Sequence, residues 1–357
     1  MNKFLLSWTM LLVASLTLNS QNMDNRNTNR SIAPMEQLAL TQEWDKVFPK
    51  SDKVDHKKVT FVNRYGITLA ADMYIPKGMT GQLPAIAVSG PFGAVKEQSS
   101  GLYAQQLAER GYLTIAFDPS FTGESGGMPR RVASPDINTE DFSAAVDFLS
   151  VQPNVDANRI GILGVCGWGG IAIQSAINDP RIKATVASTM YDMTRVSANG
   201  YFDSEDTKEQ INGKRAAMAT QRTEDYRNGE YTRAGGVVDP LPEDAPQFVK
   251  DYHAYYKTPR GFHPRSGNST DGWNMTSTLP FINFKFFEYA DELESAVLIV
   301  HGDKAHSYYF GKDTFAKLKG DNKQMLTIKG ASHCDLYDQI DIIPFDEITA
   351  FYKEYLK

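Results

Sequence analysis

Arg159-Ile-Gly-Ile-Leu-Gly-Val-Cys-Gly-Trp-Gly-Gly170, running straight into IAIQSAI, is the stretch on which the fold turns. A short apolar run ending in a glycine cluster predicts a strand buried on both faces, with a sharp turn into a helix. Such a turn lifts one side chain above the sheet edge and aims helix N–H groups at negative charge forming beside it, as in a nucleophile elbow. Strand and helix cross closely there, so small residues are needed two before and two after the exposed side chain. With Cys166 exposed, Gly164 meets the first requirement and Trp168 breaks the second. With Trp168 exposed, Cys166 and Gly170 meet both, and an indole, which is no nucleophile, takes the central place. Two readings stay open. Either Cys166 is an activated thiolate on a turn widened by one residue, or the elbow persists without its nucleophile. Sulfur chemistry favours the first, because a thiol is intrinsically nucleophilic and a helix N-terminus lowers its pKa. The blander alternative is a buried, inert cysteine.

On either side of this stretch, short apolar runs alternate with helical periodicity. VTFVNRYGITLAADMYI, from Val59, predicts two strands turning at Tyr65-Gly66. Strands are expected at Ala85–Val88, Tyr112–Phe117, Lys183–Ser188, Ala296–Val300 and Met325–Ile328. Helices are expected at Glu97–Arg110, Asp141–Val151 and Phe345–Leu356. This rhythm predicts a mostly parallel sheet with helices on both faces. It breaks between about Tyr191 and Asp291, in a Tyr-, Arg-, Asn- and Gly-rich stretch expected to form a lid over the carboxyl edge of the sheet, where open α/β folds bind ligands. The expected organisation is a signal peptide at 1–20, a tether and lead-in at 21–56, core at 57–190, lid at 191–291 and core at 292–357.

Composition narrows the function. Of 357 residues, 41% are hydrophobic and 22% charged, which excludes a disordered or fibrous chain, and two cysteines cannot build a disulfide framework. A net charge of −6 offers no basic face for nucleic acid. Lys3 precedes the apolar run Phe4–Leu18, which is shorter than the roughly 20 residues a span needs and ends in Asn19-Ser20-Gln21. The expectation is export to the periplasm or beyond, with the mature chain starting near Gln21 and no membrane attachment after cleavage. HExxH, CxxC, Walker and post-strand GxGxxG motifs are all missing, so neither a metal nor a cofactor is expected.

A nucleophile needs a base and an oxyanion site. His333, in Ile328-Lys-Gly-Ala-Ser-His333 after the last strand, is placed at the carboxyl edge and is the leading candidate base. His301 more often fixes a turn, and His306 is a nearby candidate for contact with substrate. His253 and His263 lie in the lid, and His56 reads as surface. The orienting acid is missing from its HGxxD position, which Ala305 occupies. Asp192, after the sixth strand, is the substitute proposed, with Asp303 and Asp335 behind it. Gly167 N–H would be one oxyanion donor. Pro91 has no N–H, so Phe92 in Ser89-Gly-Pro-Phe-Gly93 would supply the second. Trp168 and Glu124 are further candidates for the substrate pocket. Cys334 follows His333 directly, which leaves a Cys166–Cys334 disulfide as a rival to catalysis.

SGPFGAVKEQ at Ser89, FDPSFTGESGG at Phe117, GVCGWGG at Gly164, STMYDM at Ser188, HGDKAHS at His301 and GASHCDLYD at Gly330 together resemble the α/β-hydrolase superfamily over Val59–Leu356. Within it the chain looks most like an exported branch related to dienelactone hydrolases, which use a Cys nucleophile in a Gly-x-Cys-x-Gly-Gly elbow with an Asp and a His. Cys166 and His333 match those roles, whereas Trp168 and Ala305 depart from them. The resemblance implies hydrolysis of an ester, lactone or thioester of a small molecule through an acyl-Cys166 intermediate. The alternatives are a catalytically impaired binding protein on the same fold and an acyl transferase. Lid residues Tyr255, Tyr256, Arg265 and Trp273 point to an aromatic or sugar-bearing acyl group.

Overall fold

The computed structural model describes residues 34–357; the expected signal peptide and the start of the tether lie outside them. Eight strands form one sheet: β1 (Val54–Val62), β2 (Thr68–Pro76), β3 (Leu83–Ser89), β4 (Leu113–Phe117), β5 (Val155–Val165), β6 (Ile182–Ser188), β7 (Ala296–Gly302) and β8 (Lys323–Ile328). Their order across the sheet is β1-β2-β4-β3-β5-β6-β7-β8. β1 and β2 form the antiparallel hairpin turning at Tyr65-Gly66, β2 runs antiparallel to β4, and every later pairing is parallel.

The apolar runs are buried on both sides, and their pleat sorts them into two cores. Ala85, Ala87, Ile160, Ile162, Val297 and Ile299 face one core. Ile86, Val88, Leu163, Val165, Leu298 and Val300 face the other. Helices α2 (Pro135–Ser150) and α3 (Gly167–Asn178) close the first, and α1 (Ser99–Ala108) contributes Tyr103, Ala104 and Leu107 to the second. α2 begins earlier than its apolar period predicts. Ser134 caps it by accepting from Ile137 N–H, and Pro135 sits where a helix needs no donor.

Residues 189–295 lie between β6 and β7. They hold α4 (Met193–Asn199), α5 (Lys208–Asn228), α6 (Gln247–Tyr256) and α7 (Thr278–Ile282). The chain then returns through α8 (Tyr308–Lys317), β8, the single turn α9 (Asp335–Asp338) and α10 (Phe345–Tyr355), the last packed into the second core. All parallel strands thus end on one edge, where the loops carrying Phe92, Cys166, Thr189, Ser307 and His333 gather. Among the described residues no helix is long and apolar enough to cross a membrane.

Candidate active site

Cys166 takes φ 59° and ψ −127°, a conformation seldom open to a side-chain-bearing residue, between the end of β5 and the first residue of α3. The turn is not widened. Trp168 is accommodated because its ring turns down into the core, with centroids 5.6 Å from Phe117 and 5.4 Å from Phe142. Space for its stem comes from Gly90, where a Cβ would lie 2.7 Å from Trp168 Cβ and 2.3 Å from Val165 O. Gly164 is equally tight, since a Cβ there would meet Trp168 O at 1.9 Å. Trp168 is therefore a core residue and, where the sequence suggested a place in the substrate pocket, is not among the residues lining the Cys166 cavity.

The Cys166 sulfur lies close to the backbone N–H groups of Gly167 and Phe92 and to the hydroxyls of Tyr337 and Tyr252, each of which favours the thiolate. Burial outweighs these partners and pushes the thiol above its ordinary pKa, so the helix N-terminus alone does not keep a thiolate at neutral pH. Cys334 is also buried, and both cysteines are free, so the structure holds no Cys166–Cys334 disulfide.

His333 is fully enclosed. Its Nδ1 lies 2.8 Å from Thr189 Oγ1 and 2.6 Å from Ser307 Oγ. Its Nε2 is 3.0 Å from Tyr337 Oη. Burial, reinforced by neighbouring His306 and His301, holds the imidazole well below its ordinary pKa and therefore neutral at pH 7. Among the described residues no carboxylate is hydrogen bonded to His333. Asp192, proposed as the acid, instead caps α4, accepting from Thr194 N–H, Thr194 Oγ1 and Arg195 N–H. A short polar side chain directly before a helix is drawn to that helix's unpaired donors. Asp303 accepts from Gly330 N–H at 2.7 Å, and Asp335 accepts from Ser332 N–H at 2.8 Å. Hydroxyls thus stand where the acid was sought. Ser307 lies two residues beyond Ala305, and Thr189, held at φ 44°, directly follows β6.

A cavity of about 250 Å³ opens on Cys166, walled by Phe92, Tyr191, Tyr201, Tyr252, Tyr256 and Tyr337 among others. Among the described residues its wall carries no charged side chain. His306 stands behind that wall. Its Nε2 is hydrogen bonded to Tyr191 Oη, its ring stacks on Phe248 at 4.3 Å, and burial lowers its pKa to about 4. His301 bonds Met190 O at 3.2 Å, and His253 faces Asp239 at 3.4 Å.

Glu124, expected in the pocket, belongs to a separate buried charge network. Lys96 Nζ donates at 2.7 Å to each of Glu97, Asp118 and Glu124, so an ammonium fills the one carboxylate cluster among the described residues that could ligate a metal. Burial opposes ionisation of Glu124, yet Lys96, Thr41 N–H and Lys58 together hold its pKa at about 2. His56, read as surface, is bonded to buried Asp72 at 2.8 Å in the same region. Arg265 joins this network as well, reaching Asp45 at 2.6 Å and Glu97 at 2.9 Å, and does not line the Cys166 cavity. The residues missed from sequence, Thr189, Ser307, Tyr252 and Tyr337, carry hydroxyls. Tyr337 had a usable signal: it lies four residues after His333, the spacing of one helical turn.

Residues 65–335 match the family described as X-Pro dipeptidyl-peptidase (S15 family). A Pseudomonas aeruginosa protein named Uncharacterized protein PA2218 is 56% identical over 322 residues, 90% of this chain and 86% of that protein. Its crystal structure has a TM-score of 0.87 at 55% identity, covering 90% of this chain and 99% of that one. Uncharacterized protein YcjY of Escherichia coli is 36% identical over 291 residues, 79% of this chain and 93% of that protein. The α/β hydrolase GrgF from Penicillium shares the fold, with a TM-score of 0.68 at 17% identity over 85% of this chain and 99% of that one. Shorter matches reach Thiohydrolase aneE of Aspergillus aculeatus and Acyltransferase drtE of Aspergillus calidoustus, at 32% and 30% identity, each over 38% of this chain and 42% of the relative. With its eight-stranded sheet, its elbow and these matches, the chain belongs to the X-Pro dipeptidyl-peptidase (S15) family of the α/β-hydrolase superfamily.

Proposed function

We propose that this chain is an exported acyl hydrolase that cleaves an ester, lactone or thioester through Cys166, with residues 191–291 acting as its lid. One observation carries the reading. Cys166 stands on the elbow and lines a cavity together with Phe92, with the N–H groups of Gly167 and Phe92 close enough to its sulfur to favour the thiolate. In the proposed reaction the sulfur attacks the substrate carbonyl carbon while its proton passes to neutral His333. The carbonyl π electrons move to oxygen, which turns to the Gly167 and Phe92 donors. Collapse expels the alcohol or thiol, protonated from His333. Water then attacks the acyl-Cys166 carbonyl, His333 taking its proton, and the free acid leaves as the thiol re-forms.

The uncharged, tyrosine-rich wall fits a neutral acyl group bearing oxygen or an aromatic ring. It argues against dipeptidyl-peptidase activity, because a peptide's ammonium terminus buried there would lack a carboxylate partner. The names of the thiohydrolase and acyltransferase relatives support a thioester substrate. The Cys elbow also keeps the likeness to dienelactone hydrolases.

The native protein and Cys166→Ala should be compared on nitrophenyl acetate, a short acyl thioester and Gly-Pro-nitroanilide. Native turnover of the first two, a loss of about a thousandfold or more in the variant, and none on the third are expected. Turnover surviving in Cys166→Ala refutes the nucleophile. An acceptor alcohol that diverts the acyl group from water would identify a transferase instead. Export is checked by the N-terminal mass of the mature protein, expected to begin near Gln21.

A further inference from the structure

We propose that Tyr337 is a catalytic residue, its hydroxyl carrying the Cys166 proton to His333. The proposal rests on the reading of Cys166 as nucleophile. His333 presents Nδ1 to Thr189 and Ser307, at 2.8 and 2.6 Å, which leaves Nε2 to face the site. What Nε2 meets, at 3.0 Å, is Tyr337 Oη, and Tyr337 lines the same cavity as Cys166, near enough for its hydroxyl to favour the thiolate. The phenol therefore stands between nucleophile and base. It is also held in place: α9 begins two residues after His333, and the fully buried Tyr337 ring packs edge-on against Tyr255 with centroids 5.0 Å apart. The hydroxyl of Tyr252, on the same cavity wall, leads elsewhere, to Tyr191 Oη at 2.8 Å and on to His306.

The relay balances. The S–H bond breaks as its proton joins the Tyr337 oxygen, while the proton already on that oxygen passes to His333 Nε2. The sulfur is left as thiolate, the phenol ends neutral, and His333 becomes imidazolium, with Nδ1–H donating to Thr189 or Ser307. On collapse of the tetrahedral intermediate the proton returns through the same hydroxyl to the leaving oxygen or sulfur. Burial, with the neighbouring sulfur, keeps the phenol protonated far above its ordinary pKa, so it passes protons on without resting as phenolate.

Iodoacetamide alkylation of Cys166 at neutral pH tests this without any substrate. The thiolate displaces iodide, and its proton is left on His333. Tyr337→Phe and His333→Ala should each slow alkylation by about a hundredfold, and the double variant should be no slower than the slower single. A Tyr337→Phe rate equal to or above native, effects that multiply in the double variant, or a native thiol that resists alkylation overturns the relay. If Tyr337→Phe does not fold, 3-fluorotyrosine at position 337 keeps ring and hydroxyl, and its more acidic phenol should shift the alkylation pH profile. An unshifted profile is equally fatal. Failure of the acyl-hydrolase reading shows separately, as ester turnover that persists in Cys166→Ala.

Discussion

A single missing methyl group makes room for the tryptophan at the elbow. Gly90 is at φ 101°, where side chains are strained, and a Cβ there would overlap both Val165 O and Trp168 Cβ. Gly90→Ala is expected to lower stability by about 1–3 kcal/mol, read from urea unfolding. It should also depress acylation, because Phe92, the proposed oxyanion donor, lies two residues further on. A variant as stable and active as the native protein would show that Trp168 is accommodated in another way. The reading of the elbow from sequence went only halfway for this reason: the residue that admits Trp168 lies on a different loop, 78 positions away along the chain. Cys166 and His333 were legible because strand ends announce themselves. Thr189 and Ser307 were not, because a hydroxyl in a loop carries no pattern until the fold gives it a partner.

Among the elements, the insertion departs furthest from periodicity. α5 runs 21 residues with almost no buried face, started by a Thr207–Gln210 capping box and ended by Gly229 at φ 72°. Caps define it where apolar spacing cannot, and the break in rhythm after β6 hid it. α6 matters more to the site, since Tyr252 and Tyr256 lie one turn apart and both reach the cavity. Tyr252 also closes over His333, with ring centroids 5.5 Å apart. Burial, with His306 and His301 nearby, is what keeps His333, the proposed base, neutral. His333 must be unprotonated to accept a proton, and its pKa lies well below 6.5, so acylation should hold its plateau through pH 6.5 and fall only well below it. A pH–rate profile with its acid midpoint at or above 6.5 would contradict this placement. Because burial raises the Cys166 pKa, alkylation should instead climb with pH through 9 and beyond.

Across the whole molecule, a second polar centre stabilises the fold apart from the site. Lys96, fully buried, answers Glu97, Asp118 and Glu124, while Lys58 and Lys46 answer Asp72 at 3.2 and 2.9 Å. Removing one partner strands the others without water, so Lys96→Met is expected to destabilise the protein by about 3–5 kcal/mol, measured by denaturant unfolding. A loss below about 1 kcal/mol would mean the carboxylates find other partners. The alternating strands and helices were plain in the sequence, since both faces of the parallel strands are buried. This network was not, because its members come from β1, β2, three loops and the insertion. The segment before β1 is part of it. Thr41 N–H donates to Glu124 at 2.7 Å, Asp45 holds Arg265 of the insertion, and Val47 N–H donates to Glu97 O at 3.0 Å. Trimming the protein to its first strand would keep every β-ladder and still undo a harness. Arg265 would lose Asp45 and keep Glu97, Asp72 would lose Lys46 and keep Lys58, and one buckle between the insertion and the segment before the sheet would be gone.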